Sequence, residues 1–253
     1  MKSGRIRLAA GEILFLEGGS GKSLLFLHGA IATSEAYLPL LTKLSSIYHV
    51  LAPVHPGHGK SFHLPQDWKL NDYVHTYKSF CTELAFAPEI LVGHSFGGTL
   101  ALLLAAQGLT AQVITMDPPG LPFDFTPKNY GEAMIQEARD VLQQKPGINR
   151  IKEMAQASGT LVETAVRHPD EISRFVKYGP KFNIARELRK IQTSVTLLWG
   201  KDDIIVPVGI GRRMHAFIPH AHMDVFLGKG HNYPITDSEF TYREIQRAIT
   251  NNK

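Results

Sequence analysis

Ser95 stands in the run Gly93-His94-Ser95-Phe96-Gly97. A serine hydroxyl becomes an effective nucleophile only when a nearby base takes its proton. The usual base is a histidine whose second ring nitrogen is held by a carboxylate. His231, in Lys229-Gly230-His231-Asn232, and Asp203, in Gly200-Lys201-Asp202-Asp203, supply those residue types. Their order along the chain, nucleophile then acid then base, suits a serine on an α/β sheet. The chemistry such a set performs is acyl transfer. Asp202 competes with Asp203 for the acid role. Asp117 is a further carboxylate, read more simply as a turn residue before Pro118-Pro119-Gly120.

These side chains meet only if strands and turns bring them together. The short apolar run Ser23–Leu27 reads as a buried strand, and Tyr48–Pro53 as the next. Helical spacing covers Ser34–Ser46 and Asn71–Phe86. A strand at Glu89–Val92, a helix at Phe96–Gln107 and a strand at Ala111–Met116 follow. Alternation of this kind predicts a mostly parallel sheet with helices on both faces. Arg5–Leu16 reads as an antiparallel hairpin at one edge. Between Gly120 and Ala185 only helical stretches are found, about Tyr130–Gln144, Ile151–Arg167, Pro169–Tyr178 and a short one near Asn183. Alternation resumes with a strand at Ser194–Trp199, a helix at Val208–Phe217, a strand at Met223–Phe226 and a last helix at Asp237–Thr250. The expected division is a core of residues 1–119 and 185–253 with a helical cap of 120–184. Ser95 then falls on a tight strand-to-helix turn, where glycines two residues away on either side relieve crowding. Ser95, Asp203 and His231 all follow strand ends, where open α/β sheets place ligands.

With these motifs in order, the chain resembles an α/β-hydrolase over nearly its whole length. Leu27-His28-Gly29-Ala30 resembles the family's oxyanion loop, the GHSFGG run its nucleophile elbow, Gly200-Lys201-Asp202-Asp203 its acid loop and Gly230-His231 its histidine loop. The resemblance implies an eight-stranded sheet, Ser95, Asp203 and His231 as triad, and the N–H groups of Ala30 and Phe96 as oxyanion hole. The register of the acid loop, with the carboxylate three residues after the glycine, favours Asp203 over Asp202. One departure is Val54-His55 ahead of Pro56-Gly57-His58-Gly59-Lys60-Ser61, where the family commonly has an acidic residue. A serine at the elbow argues against the relatives that use aspartate there, the epoxide hydrolases and haloalkane dehalogenases. In the cap, Phe123, Phe125, Tyr130, Met134, Phe175, Tyr178 and Phe182 are candidates to line an apolar substrate pocket, or else to pack the cap onto the core. The implied activity is that of a serine esterase on a small or medium hydrophobic acyl group. Thioesterase and C–C bond hydrolase chemistry use the same machinery, and a catalytically silent ligand-binding protein is the contrasting class.

Composition sets the outer bounds. The 253 residues carry 27 Lys and Arg against 23 Asp and Glu, a surplus of +4 too diffuse to mark a nucleic-acid partner. No apolar stretch approaches the ~20 residues of a membrane span, and the N-terminal residues read as no secretory signal. The single cysteine, Cys81, excludes an internal disulfide and fits a cytoplasmic location. The twelve histidines show no zinc-binding spacing. His28 is expected to hold the oxyanion loop and His94 to pack at the elbow. His55, His58, His63, His215, His220 and His222 are expected at the surface or in loops. Gly18–Ser23 imitates a phosphate loop but has Leu16 in place of the first glycine and is followed by a strand, so it reads as a hairpin turn. No cofactor, no metal and no macromolecular partner are expected, only a small-molecule substrate acted on by a monomer or homodimer.

Overall fold

A computed structural model describes residues 1–124, 132 and 148–251, and the statements below concern those residues. Eight strands form one sheet: β1 (Lys2–Leu8), β2 (Gly11–Gly18), β3 (Ser23–Leu27), β4 (His49–Pro53), β5 (Ile90–His94), β6 (Gln112–Met116), β7 (Ser194–Gly200) and β8 (His222–Phe226). Their order is β1-β2-β4-β3-β5-β6-β7-β8. Pairing is antiparallel for β1 with β2 and β2 with β4, and parallel for every other neighbouring pair.

Alternation along the inner strands divides their side chains between two cores, because successive residues of a strand point to opposite faces. Leu25, Leu27, Leu91, Val113, Leu197 and Trp199 enter one core. Leu24, Phe26, Ile90, Val92, Ile114 and Leu198 enter the other. Helices α1 (Leu38–Leu44), α2 (Leu70–Glu83) and α3 (Phe96–Ala105) follow β3, β4 and β5. Every residue of α3 is buried, and its sequence FGGTLALLLA carries no charge, so a helix apolar on all sides lies between sheet and neighbours.

The path of the chain places the site. From β3 it winds one way to β4, then crosses back to β5 and continues the other way through β6, β7 and β8. At such a reversal the loops leaving two adjacent strands diverge and open a crevice at their C-terminal ends. Here those strands are β3, which leads to Ala30, and β5, which leads to Ser95.

Two sequence expectations change. Gly18–Ser23 is not the turn of a hairpin between neighbours, because β4 lies between β2 and β3 and pairs with both. Turn residues mark a reversal of direction, and they carry no information about which strand ends up adjacent. The helix read over Ser34–Ser46 is a 3-10 turn at Ser34–Tyr37 followed by α1. Pro39 explains the break, since proline fits the first turn of a helix and no later position without losing a hydrogen bond. A one-turn helix at Tyr233–Thr236, absent from the sequence reading, precedes the final helix Ser238–Asn251.

Between β6 and β7 the chain leaves the sheet. Its described helices there are Ile148–Arg167, Pro169–Tyr178 and Ala185–Leu188. The helix expected at Tyr130–Gln144 lies outside the described residues apart from Glu132. The two ends of this insert meet: Ile184 N donates to Gly120 O at 2.9 Å and Phe123 N to Pro180 O at 3.0 Å.

Candidate active site

Ser95 sits between the last residue of β5 and the first of α3, with φ 51° and ψ −121°. Positive φ is costly for a residue with a Cβ, and backbone bonds hold it: Ser95 N donates to Met116 O at 2.7 Å and Thr99 N to Ser95 O at 3.1 Å. The turn is so tight that a Cβ at Gly93 would strike the backbone of Gly97 and Gly98, and one at Gly97 would strike the carbonyl oxygens of Leu27 and His28. Gly97→Ala must therefore push α3 away from the end of β3. We expect it to cost more than about 3 kcal/mol, the scale of a severe overpacking lesion. A denaturation midpoint close to that of the unmodified chain would contradict this.

The Ser95 hydroxyl lies 3.0 Å from His231 Nε2, and His231 Nδ1 lies 2.7 Å from Asp203 Oδ2. All three residues are buried. The second oxygen of Asp203 accepts from the N–H groups of Ile205 and Val206, both at 2.8 Å. The loop after β7 thus holds the Asp203 carboxylate with two backbone donors while the other oxygen faces the imidazole. Asp202 is turned the other way: it is exposed, and its carboxylate accepts from Gly228 N at 2.8 Å. Asp117 is fully buried with φ 48°, and its Oδ1 accepts from Gly200 N at 2.8 Å, tying the end of β6 to the end of β7.

Around Ala30 the loop after β3 is held by histidines and a tyrosine. Gly29 N donates to Tyr37 Oη at 3.0 Å, so the tyrosine proton is free to point to His94 Nδ1, 2.5 Å away. His94 then carries its proton on Nε2 and donates to His231 O at 2.9 Å. His55 N donates to His28 Nε2 at 2.8 Å, which leaves His28 Nδ1–H to donate to Gly29 O at 2.7 Å. His55 Nε2–H donates to His28 O at 2.7 Å, while its Nδ1 accepts from Tyr77 Oη. Ile31 N donates to His58 Nε2 at 3.0 Å, and His58 Nδ1–H reaches Pro56 O at 3.2 Å. Each of these four rings accepts at one nitrogen and donates at the other, so each is neutral.

His55 and His58 lie in the loop after β4, as expected, but both are buried rather than at the surface. Burial disfavours the charged form of His28, His55, His58 and His94, lowering each below the ordinary 6.5 and His58 to about 4. His63, His220 and His222 are exposed and His215 is half-buried. Among the described residues one group of potential metal ligands converges, His94, Asp117 and His231, with ligand atoms within 4.8 Å of one another. The ring nitrogens of both histidines already face the partners named above, so coordination there would dismantle the hydrogen-bond chain.

The Phe96 ring lies against Tyr73, Phe175 and Phe182 at centroid distances of 5.1, 5.7 and 6.0 Å. Phe123 packs, partly buried, against the same core. Tyr178 is 46% exposed with the Lys177 ammonium over its ring. Phe125, Tyr130 and Met134 lie outside the described residues. Tyr37 and Tyr73 belong to the helical spacing read in the sequence, but their place at the site, like that of His58, comes only through the fold. No helix among the described residues is long and apolar enough to cross a membrane.

Comparison with known proteins adds four findings. A family model described as the alpha/beta hydrolase family matches residues 24–244. A 2-hydroxy-6-oxo-6-phenylhexa-2,4-dienoate hydrolase of Burkholderia cepacia is 26% identical over 240 residues, covering 85% of this chain and 83% of its own. Among solved structures, a serine hydrolase involved in carbazole degradation superposes with a TM-score of 0.81 at 21% identity, covering 99% of both chains. An esterase from a Rhodococcus species superposes with a TM-score of 0.77 at 18% identity, covering 100% of this chain and 99% of its own. At such identities these two structures speak to the fold alone.

Proposed function

Because the chain belongs to the alpha/beta hydrolase family, we propose that it is a serine hydrolase that forms an acyl-enzyme on Ser95. The observation that carries this reading is the unbroken buried chain from Ser95 Oγ through His231 to Asp203, at 3.0 and 2.7 Å. Ser95 attacks a substrate carbonyl while His231 Nε2 takes its proton, and Asp203 stabilises the imidazolium so formed. The oxyanion is met by the N–H groups of Ala30 and of Phe96. The latter opens α3, so its N–H has no acceptor within the helix and sits at the positive end of the dipole. Collapse of the tetrahedral intermediate breaks the bond to the leaving group, which takes the proton from His231. Water activated by the same histidine then releases the acid and restores Ser95.

Residues 120–184 act as the cap in this reading. Phe175 and Phe182 bring its rings onto Phe96, beside Ser95. Phe123 adds to this wall, and the set favours a small or medium apolar acyl group. Ester cleavage is the first reading. Cleavage of a C–C bond next to a carbonyl is the second, favoured by the 26% identity to the Burkholderia dienoate hydrolase. A panel of p-nitrophenyl esters, thioesters and 1,3-diketones separates them, and a fluorophosphonate probe mapped by mass spectrometry must label Ser95. A chain that turns over none of the panel and takes no label at Ser95 would sink the reading.

The two neighbouring carboxylates provide a sharper check. Asp203→Asn should lower kcat by about 10³ to 10⁴-fold, as loss of the carboxylate that fixes the histidine tautomer does. Asp202→Asn should leave kcat within about threefold, because its partner is the turn at Gly228. The reverse pattern would move the acid role to Asp202.

A further inference from the structure

We propose that His58 is a positioning residue for acyl transfer, its Nε2 lone pair holding the Ile31 N–H and thereby the neighbouring Ala30 N–H in place. The proposal rests on the serine hydrolase reading for what Ala30 does, and on geometry for how it is held.

Ile31 carries the argument. Its φ is 71°, in the left-handed region that a β-branched side chain avoids. A conformation of that kind persists only where the surroundings over-determine it. Ile31 is buried, so its N–H needs an acceptor inside the protein, and the acceptor is His58 Nε2 at 3.0 Å. Two residues before Ile31, Gly29 N is held by Tyr37. Ala30 is thus set between two pinned peptides, with its direction fixed from both sides. Preorganised donors of this kind stabilise a developing oxyanion without reorganisation.

His58 can serve only with Nε2 unprotonated, and its surroundings enforce that. The loop of Pro56 takes the Nδ1 proton. The titratable groups facing the ring are His28 and His55, at centroid distances of 5.3 and 5.6 Å, and His168, which donates to Gly59 O from the neighbouring insert. Burial pushes the first two down as well, and His168 likewise. A proton on His58 Nε2 would confront the Ile31 N–H with a second donor and release the strained residue.

The test compares the unmodified chain with His58→Leu, which removes the acceptor, and His58→Gln, whose terminal amide oxygen can stand near the Nε2 position and cannot ionise. With p-nitrophenyl acetate, His58→Leu should lose about 10²-fold in kcat, the scale of one impaired oxyanion donor, with KM within about threefold. His58→Gln should recover most of that loss, and its acid limb of kcat against pH should fall with one proton fewer. Imidazole ¹⁵N NMR of the unmodified chain, which needs no variant to fold, should show His58 neutral and unprotonated at Nε2 at pH 7. A protonated Nε2, or a folded His58→Leu with kcat within threefold of the parent, overturns the proposal. Equal losses in the two variants also overturn it. If the unmodified chain neither turns over esters nor labels at Ser95, the hydrolase reading falls, while the NMR signal and Ile31 amide exchange in the variants still decide whether His58 holds the loop.

Discussion

Ser95→Ala is expected to reduce kcat by about 10⁴ to 10⁶-fold while leaving the fold unchanged. The size follows from the way a nucleophile and its base act as a unit: removing either loses nearly the whole benefit of the covalent route, and only binding and oxyanion stabilisation remain. The fold should tolerate the change because the contacts that hold the elbow are backbone ones, Ser95 N to Met116 O and Thr99 N to Ser95 O. Alanine inherits the same positive φ and a smaller side chain, and the hydroxyl's recorded partner is His231 Nε2. Unfolding free energies of variant and parent from urea titration should therefore agree within about 1 kcal/mol, as for substitutions that touch no packed group. Fluorophosphonate labelling should disappear in the variant. Residual turnover above about one part in a hundred, with labelling at another residue, would show that the nucleophile lies elsewhere.

Acid is expected to unfold the chain steeply, because four imidazoles are buried neutral. The folded protein resists protonation of His28, His55, His58 and His94, whereas the unfolded chain accepts those protons near the ordinary 6.5. Below that pH the unfolded state binds more protons, so stability is fully present above it and is lost as pH falls. For His58, lowered to about 4, the loss on full descent is about 3 kcal/mol. While all four titrate on unfolding alone, the slope approaches about 5 kcal/mol per pH unit. Glu171 opposes by one proton: burial raises its carboxyl above the usual range, so the folded state gains a proton there as pH falls. Urea unfolding from pH 7.5 down to 4.5 measures the slope, and stability that stays flat across that window would refute a neutral histidine cluster. The His58→Gln chain should fall less steeply by about one proton.

What the sequence makes legible depends on whether a residue's role is local. β3, the helix Pro169–Tyr178 and the helix Val208–Phe217 match their expected bounds because proline, glycine or a polar break marks each end. Ser95, Asp203 and His231 stand out because each lies within three residues of a glycine after a readable strand. The histidines of the loop after β4 do not. His55 and His58 look like polar loop residues, and only the approach of β3's loop from 27 positions earlier supplies the backbone groups that make their burial affordable. Strand neighbours are equally hidden: Gly18–Ser23 announces a reversal, and nothing in it reveals that β4 will slot between β2 and β3. In space the two carboxylates take different directions, Asp203 inward to His231 and Asp202 outward to Gly228.

The insert between β6 and β7 departs and returns at adjoining points, stitched by Ile184 to Gly120 and by Pro180 to Phe123. Closing a longer loop between fixed neighbours costs little extra, roughly 0.6 kcal/mol per doubling of length. In the proposed reading the segment is an exchangeable cassette, whose length can change while β6 and β7 stay in register. If residues 120–184 select the substrate as proposed, a relative's insert grafted at the Gly120–Ile184 junction should change selectivity on the ester panel while Ser95 keeps its label.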